Sequence, residues 1–169
     1  MASRLRIEPL ARTHAVEDFD CGREPLNRFL VRHALQSQQA DASRTYVAVD
    51  GSRVVGYSTL VFGEVARAAV PPRIGRGLSR HPIPIMVLAR LAVVLDRQGC
   101  GLGAGLLKDA ILRTLQAADI AGLRAFVVHV KDEAARAFYE RFDFLASPTD
   151  PLHLFLLMKD LRRIVGTRS

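Results

Sequence analysis

The run Gln98-Gly99-Cys100-Gly101-Leu102-Gly103 sits where a short apolar strand turns into a helix that opens with small residues. Closely spaced glycines let successive N–H groups face outward, and the helix that follows aims its positive end at the same point. Such a bend is an anion cradle. Three kinds compete. The P-loop of nucleotide hydrolases needs Lys-Ser or Lys-Thr after its last glycine, whereas Ala104-Gly105 follows here and Lys108 comes a turn too late. A Rossmann fingerprint can be drawn through Gly99, Gly101 and Ala104 with Asp119 further on, but that motif normally opens its domain on the first strand. The third pattern, Gln/Arg-x-x-Gly-x-Gly/Ala, is met by Gln98, Gly101 and Gly103.

Other reactive side chains are few. Cys21 and Cys100 are the two cysteines, without a CxxC, and the histidines lack ligand spacing, so neither a disulfide framework nor a metal site is expected. Cys100 could act as an acyl-carrying nucleophile, but no His or acid accompanies it locally. His129 could serve as a base at the end of its strand, where a lone histidine more often has a structural role. The charge is more telling. Lysines and arginines number 24 against 17 acids, for a net charge of +7. Scattered arginines usually form a solvated surface. Yet no acid occurs between Glu64 and Asp96, where Arg67, Arg73, Arg76, Arg80 and Arg90 fall. The Pro- and Gly-rich part, 66–84, should be an exposed loop able to attract closely spaced phosphates.

These residues need a frame, and the pattern predicts one α/β domain spanning 1–169. Leu5–Leu10 reads as a strand. A helix begins near Pro25, with Leu26, Phe29, Leu30, His33 and Ala34 at helical spacing. Thr45–Val49, the Asp50-Gly51 turn and Val54–Phe62 make a hairpin. Ile85–Leu95 is the long central strand. Leu102, Leu106, Ala110, Ile111, Leu115 and Ala118 line one face of the helix after the cradle. Ala125–Val130 is apolar enough for a strand covered on both faces. Asp132 can cap the next helix, and Leu152–Met158 forms a terminal strand. No run reaches the roughly 18 apolar residues of a membrane span, and the start lacks a secretory signal pattern.

The cradle, together with Arg90-Leu91-Ala92-Val93, the segment from Lys131 to Phe142 with its Phe138-Tyr139 pair, and Phe19-Asp20-Cys21-Gly22 followed by Leu26-Asn27-Arg28-Phe29-Leu30, resembles the GNAT superfamily of acetyl-CoA-dependent N-acetyltransferases. Within it, the opening segment is similar to the GNAT-type toxins of bacterial toxin–antitoxin pairs, which acetylate aminoacyl-tRNA and so block translation. The resemblance implies a mixed α/β sheet of about six or seven strands flanked by about four helices. It implies that Arg97, Gln98, Gly99, Cys100, Gly101, Leu102, Gly103 and Ala104 hold the coenzyme A diphosphate, and that Leu91, Ala92 and Val93 run beside the pantetheine. The Val93 N–H is then the expected oxyanion donor. Asp132 and Phe138 fall where further cofactor contacts are implied.

Taken alone, Tyr139 reads as half-buried core. The resemblance makes it the expected general acid, since a phenol of pKa about 10 suits protonation of a departing thiolate. No general base stands out; the α-amino group of an aminoacyl ester has a lowered pKa, so much of it is already neutral near pH 7. Asp143 departs from the pattern, standing where glycine commonly ends the Tyr-bearing helix; an Asp can also adopt the left-handed cap conformation, at some cost. Arg73, Arg76, Arg80 and Arg90 are the expected tRNA contacts. The implied partners are a small DNA-binding antitoxin encoded nearby and a second copy of the chain, in a bacterial cytoplasm. The alternatives are a GNAT enzyme acting on a small amine or on protein amino groups, and an inactive RNA-binding regulator.

Overall fold

The computed structural model describes residues 5–78 and 82–166; Arg80 therefore lies outside the described residues. The strands are β1 (Leu5–Pro9), β2 (Arg44–Asp50), β3 (Arg53–Val65), β4 (Ile83–Val93), β5 (Ala125–His129), β6 (Leu145–Ala146) and β7 (His153–Leu157). The helices are α1 (Glu24–Arg28), α2 (Ala34–Gln39), α3 (Pro72–Gly75), α4 (Leu102–Ala118), α5 (Glu133–Glu140) and α6 (Met158–Gly166). The strand order is β1-β2-β3-β4-β5-β7-β6. The sheet is mixed, because β4 and β5 run parallel while β1–β2, β2–β3 and β5–β7 are antiparallel. A parallel pair needs a crossover, and α4 supplies it.

The chain divides into two compact units, Met1–Val61 with Ala89–Ala110, and Phe62–Leu88 with Ile111–Ser169. In the first, the alternating apolar residues of the hairpin bury Val47, Val49, Val55 and Tyr57 against Leu30, Ala34, Leu102 and Leu106. Gly56 eases the packing there. A Cβ at that position would lie 2.9 Å from a Leu106 methyl and 3.1 Å from the Ala92 carbonyl oxygen, so glycine lets α4 and β4 approach without either giving way. The predicted first helix is interrupted. α1 gives way to a π-helical turn at Phe29–His33, where the Ala34 N–H reaches the Phe29 carbonyl. A π-turn adds a residue to one turn, which spacing at i, i+3 and i+4 does not reveal.

In the second unit, β5 is buried from Ala125 to Val128, as its unbroken apolar run requires. The β4–β5 ladder extends from Ile85↔Ala125 to Leu88↔Val128 and stops there. Several boundaries differ from those the sequence pattern suggests, two of them with consequences. β4 ends at Val93, because Leu95–Arg97 coil into a 3-10 turn with Leu95 exposed. β7 is not the last described element, since α6 follows it directly. Nor is 66–84 simply a loop. Arg67–Ala69 and α3 form short helical turns that bury Val70 and Ile74 among Ile83, Ala125 and Phe155.

Candidate functional site

The bend at 98–104 has the geometry its glycines foretell. Gly99 and Gly101 lie in the left-handed region, at φ 79° and 89°, and a Cβ on either would meet nothing, so the backbone is reachable from outside. The Gly105 N–H closes the first turn of α4 onto the Gly101 carbonyl at 3.1 Å. Leu102, Gly103 and Ala104 therefore present N–H groups that no earlier turn satisfies, at the positive end of a 17-residue helix. A cleft of about 190 Å³ adjoins the bend, walled by Leu5, Ile7, Arg97, Cys100 and Gly105 among others. Glycine backbone, free donors and a helix dipole together fit a diphosphate.

The bend is fixed by side chains at both ends. The Gln98 amide spends its donors on protein carbonyls, with Nε2 at 3.0 Å from the Cys21 oxygen and 2.9 Å from the Val93 oxygen. Gln98 thus helps to shape the cradle, its amide N–H groups being taken up by these two carbonyls. Arg97 is likewise engaged, its guanidinium 2.6 Å from Asp50 on the hairpin turn, and Arg53 grips Asp96 with two bonds of 2.9 and 2.8 Å. Asp96 is held below its ordinary value, chiefly by the hydrogen bonds from Arg53. Cys100 is exposed and turns its thiol to the Arg97 carbonyl.

The Phe19-Asp20-Cys21-Gly22 segment is the other half of this arrangement. The Asp20 carboxylate accepts from the Gly22 N–H at 2.9 Å and the Asn27 amide at 3.0 Å. Asn27 in turn accepts from the Cys21 N–H at 2.8 Å. The Leu95 N–H then binds the Asp20 carbonyl at 3.0 Å. Leu91, Ala92 and Val93 close β4, with Ala92 buried and its neighbours half-buried, and the Val94 N–H joins β3 through the Val55 carbonyl.

Tyr139 stands on α5. Asp132 caps that helix, its carboxylate accepting from the Ala135 N–H at 2.8 Å. The ring of Tyr139 is buried, with Phe138 edge-on at 5.0 Å and Phe144 at 5.6 Å. Burial alone pushes the phenol above its ordinary value, so it stays protonated throughout the neutral range. No hydrogen-bond partner for its hydroxyl occurs among the described residues. Asp143 does take up the left-handed conformation, at φ 67°.

His129 stacks face to face on His153 at 3.8 Å, and His153 lies 3.2 Å from Asp150. Desolvation, then the neighbouring imidazole, holds His129 below its ordinary value.

The arginines diverge in environment. Arg73 is bound by both oxygens of Asp160 on α6, which also receives Arg163 at 3.1 Å. Arg67 donates to the Leu78 carbonyl. Arg124, which no local sequence pattern marks, ties this segment down through the Ile74 carbonyl at 2.8 Å and the Arg76 carbonyl at 3.2 Å. The Arg76 side chain is exposed. Arg90 lies over the ring of Phe29, 3.6 Å from its centroid. A stretch without acids in sequence thus acquires one from 87 residues away, which no local pattern signals.

Comparison with known proteins agrees with this geometry. Residues 41–145 match the acetyltransferase (GNAT) domain. A "tRNA-acetylating toxin" of Mycobacterium tuberculosis is 48% identical over 151 residues, covering 89% of this chain and 90% of that protein. The solved complex of AtaT with acetyl-methionyl-tRNAfMet superposes with a TM-score of 0.89 at 28% identity, over 95% of this chain and 99% of that one. A tyrosine-to-phenylalanine variant of AtaT, bound to acetyl-CoA and the C-terminus of the antitoxin AtaR, gives 0.81 at 26% identity, over 96% and 98%. With its GNAT region matched across most of its length and a relative nearly half identical, the chain belongs to the GNAT acetyltransferase family.

Proposed function

We propose that this chain transfers the acetyl group of acetyl-CoA to the α-amino group of aminoacyl-tRNA, and that the masked amine stops peptide-bond formation. The observation that carries the reading is the bend at 98–104, with two left-handed glycines leading into the first-turn N–H groups of α4. Its shape suits a diphosphate, in a chain 48% identical to a tRNA-acetylating toxin.

Bound acetyl-CoA supplies an acyl thioester. The N–H groups of Leu102, Gly103 and Ala104 hold the diphosphate, with Gly99 and Gly101 keeping the approach clear. The backbone edge of Leu91–Val93 orients the pantetheine. Val93 donates its N–H to the oxyanion that forms as the amine attacks, while its carbonyl is already held by Gln98. Tyr139 protonates the departing thiolate. A buried, neutral phenol suits a donor better than a base, and Phe138 and Phe144 support its ring. The attacking α-amino group needs no dedicated base, because a vicinal ester lowers its pKa and leaves much of it neutral near pH 7.

Arg76, Arg80 and Arg90 meet tRNA phosphates, whereas Arg73 is engaged by Asp160. The reading extends to a homodimer in a bacterial cytoplasm, kept silent by a small DNA-binding antitoxin. The AtaR-bound form of AtaT supports the antitoxin in that reading. The experiment is to offer the purified protein radiolabelled acetyl-CoA with charged tRNA, polyamines and a lysine peptide in parallel. Label on the aminoacyl moiety of tRNA is expected. Label on polyamines or peptide alone overturns the reading.

A further inference from the structure

Arg90 has surroundings that its strand position does not require. Its guanidinium carbon lies 3.6 Å from the centroid of Phe29. Phe29 itself is stacked on Tyr57 at 6.4 Å with 22° between the rings, and Phe19 meets Tyr57 edge-on at 5.5 Å. Tyr57 is fully buried, and its hydroxyl donates to the Leu26 carbonyl at 2.7 Å, three residues before the π-helical turn begins at Phe29. The Arg90 side chain thus rests on a platform locked from beneath by a buried tyrosine and from one side by an irregular turn. Wide turns of this kind are commonly kept where a side chain must be aimed.

The charge on this platform is not neutralised. No carboxylate among the described residues lies within ion-pair distance of Arg90, although Arg73, Arg97 and Arg53 all have one. Phe29 covers one face of the guanidinium, and Arg90 as a whole is half-buried. An arginine held in this manner keeps its fork pre-organised, and the fork matches two oxygens of one phosphate. Stacking also removes much of the rotamer freedom that a free arginine loses on binding.

We infer that Arg90, set on the Phe29–Tyr57 stack, is a phosphodiester-gripping residue that selects nucleic-acid-borne amines over free ones. The inference rests on the proposed tRNA reading and sharpens it. The recognised group is a backbone phosphate of the acceptor end. A phosphate of coenzyme A is the competing source of the same chemistry, and the experiment separates the two. Phe29 is then a positioning residue, acting through Arg90.

The test uses the full chain and Arg90→Ala, Arg90→Lys and Phe29→Leu variants, each first checked for an unaltered thermal transition. The Arg90→Ala variant should raise KM for aminoacyl-tRNA about ten- to hundredfold, as expected for loss of a charge-assisted contact. The slope of log affinity against log salt should fall by about one. Arg90→Lys should keep the slope while losing part of the affinity, because charge survives and the fork does not. Phe29→Leu should do the same. The calorimetric Kd for acetyl-CoA should remain that of the parent in all three. If acetyl-CoA affinity falls and tRNA binding holds, the phosphate is the coenzyme's and the inference is overturned. It is equally overturned if a folded Arg90→Ala or Arg90→Lys variant has the parent's KM and salt slope. A parent that fails to acetylate charged tRNA at all refutes the underlying reading instead.

Discussion

Replacing Gln98 with alanine removes two hydrogen bonds that jointly set the shape of the cradle. The amide nitrogen joins the Val93 carbonyl at the end of β4 to the Cys21 carbonyl of the opening segment. Each neutral bond contributes about 1 kcal/mol net, and the Cys21 carbonyl, on a residue only 7% exposed, loses its partner where water reaches poorly. The sum is about 2 kcal/mol. For a chain of this size that lowers the melting temperature by about 4–8 °C. If the bend relaxes in the variant, acetyl-CoA must restore it on binding, so Kd should weaken by up to about thirtyfold. Scanning calorimetry and titration calorimetry read the two quantities separately. Asn27→Ala, which frees the Cys21 N–H on the same peptide segment, should be non-additive with Gln98→Ala. A Gln98→Ala protein with the parent's Kd and melting temperature would refute the claim that this amide shapes the site.

Two further substitutions probe the second unit. Tyr139→Phe keeps the ring between Phe138 and Phe144, so the fold and the Kd for acetyl-CoA should hold while kcat drops by about 10²–10⁴, the usual contribution of a positioned proton donor; unchanged turnover removes the acid role. Asp160→Asn tests the tie to Arg73. Hydrogen bonds from Arg73 hold the Asp160 carboxyl below its ordinary value, so the pair stabilises the fold above about pH 4 and the gain is lost as pH falls through the lowered value. With Arg73 43% exposed, the deficit of the variant at pH 7 should be about 1 kcal/mol or less, and urea unfolding should find it shrinking toward pH 3. A deficit that persists at pH 3 contradicts the ion-pair account.

What the sequence reveals of this molecule divides along a physical line. Local rules sufficed for Asp132, whose carboxylate can reach an N–H only three residues on, and for Asp143, whose place at a helix end forces a positive φ. The glycines of the cradle belong to the same class, since spacing and backbone freedom determine what they do. Long-range pairings left no such trace. Arg73 and Asp160 stand 87 residues apart, and Gln98 finds Cys21 across 77. In the Gln98 case the acceptor is a backbone carbonyl, which every residue carries and no composition marks. The π-turn is hidden for another reason. It changes the angular position of Phe29 without altering the apolar spacing that predicts a helix.

The same distinction governs how the basic segment should be understood. Counting arginines between Glu64 and Asp96 treats them as equivalent cations. Folding separates them into those tied to carboxylates or carbonyls and those that keep their donors, and the latter can meet a phosphate at less cost. Arg73 would have to surrender Asp160 before gripping an anion, leaving that carboxylate, 16% exposed, with Arg163 as its remaining guanidinium contact. Arg90 has no such partner to give up among the described residues. Neutralising Arg73 should therefore affect stability more than tRNA affinity, and neutralising Arg90 the reverse.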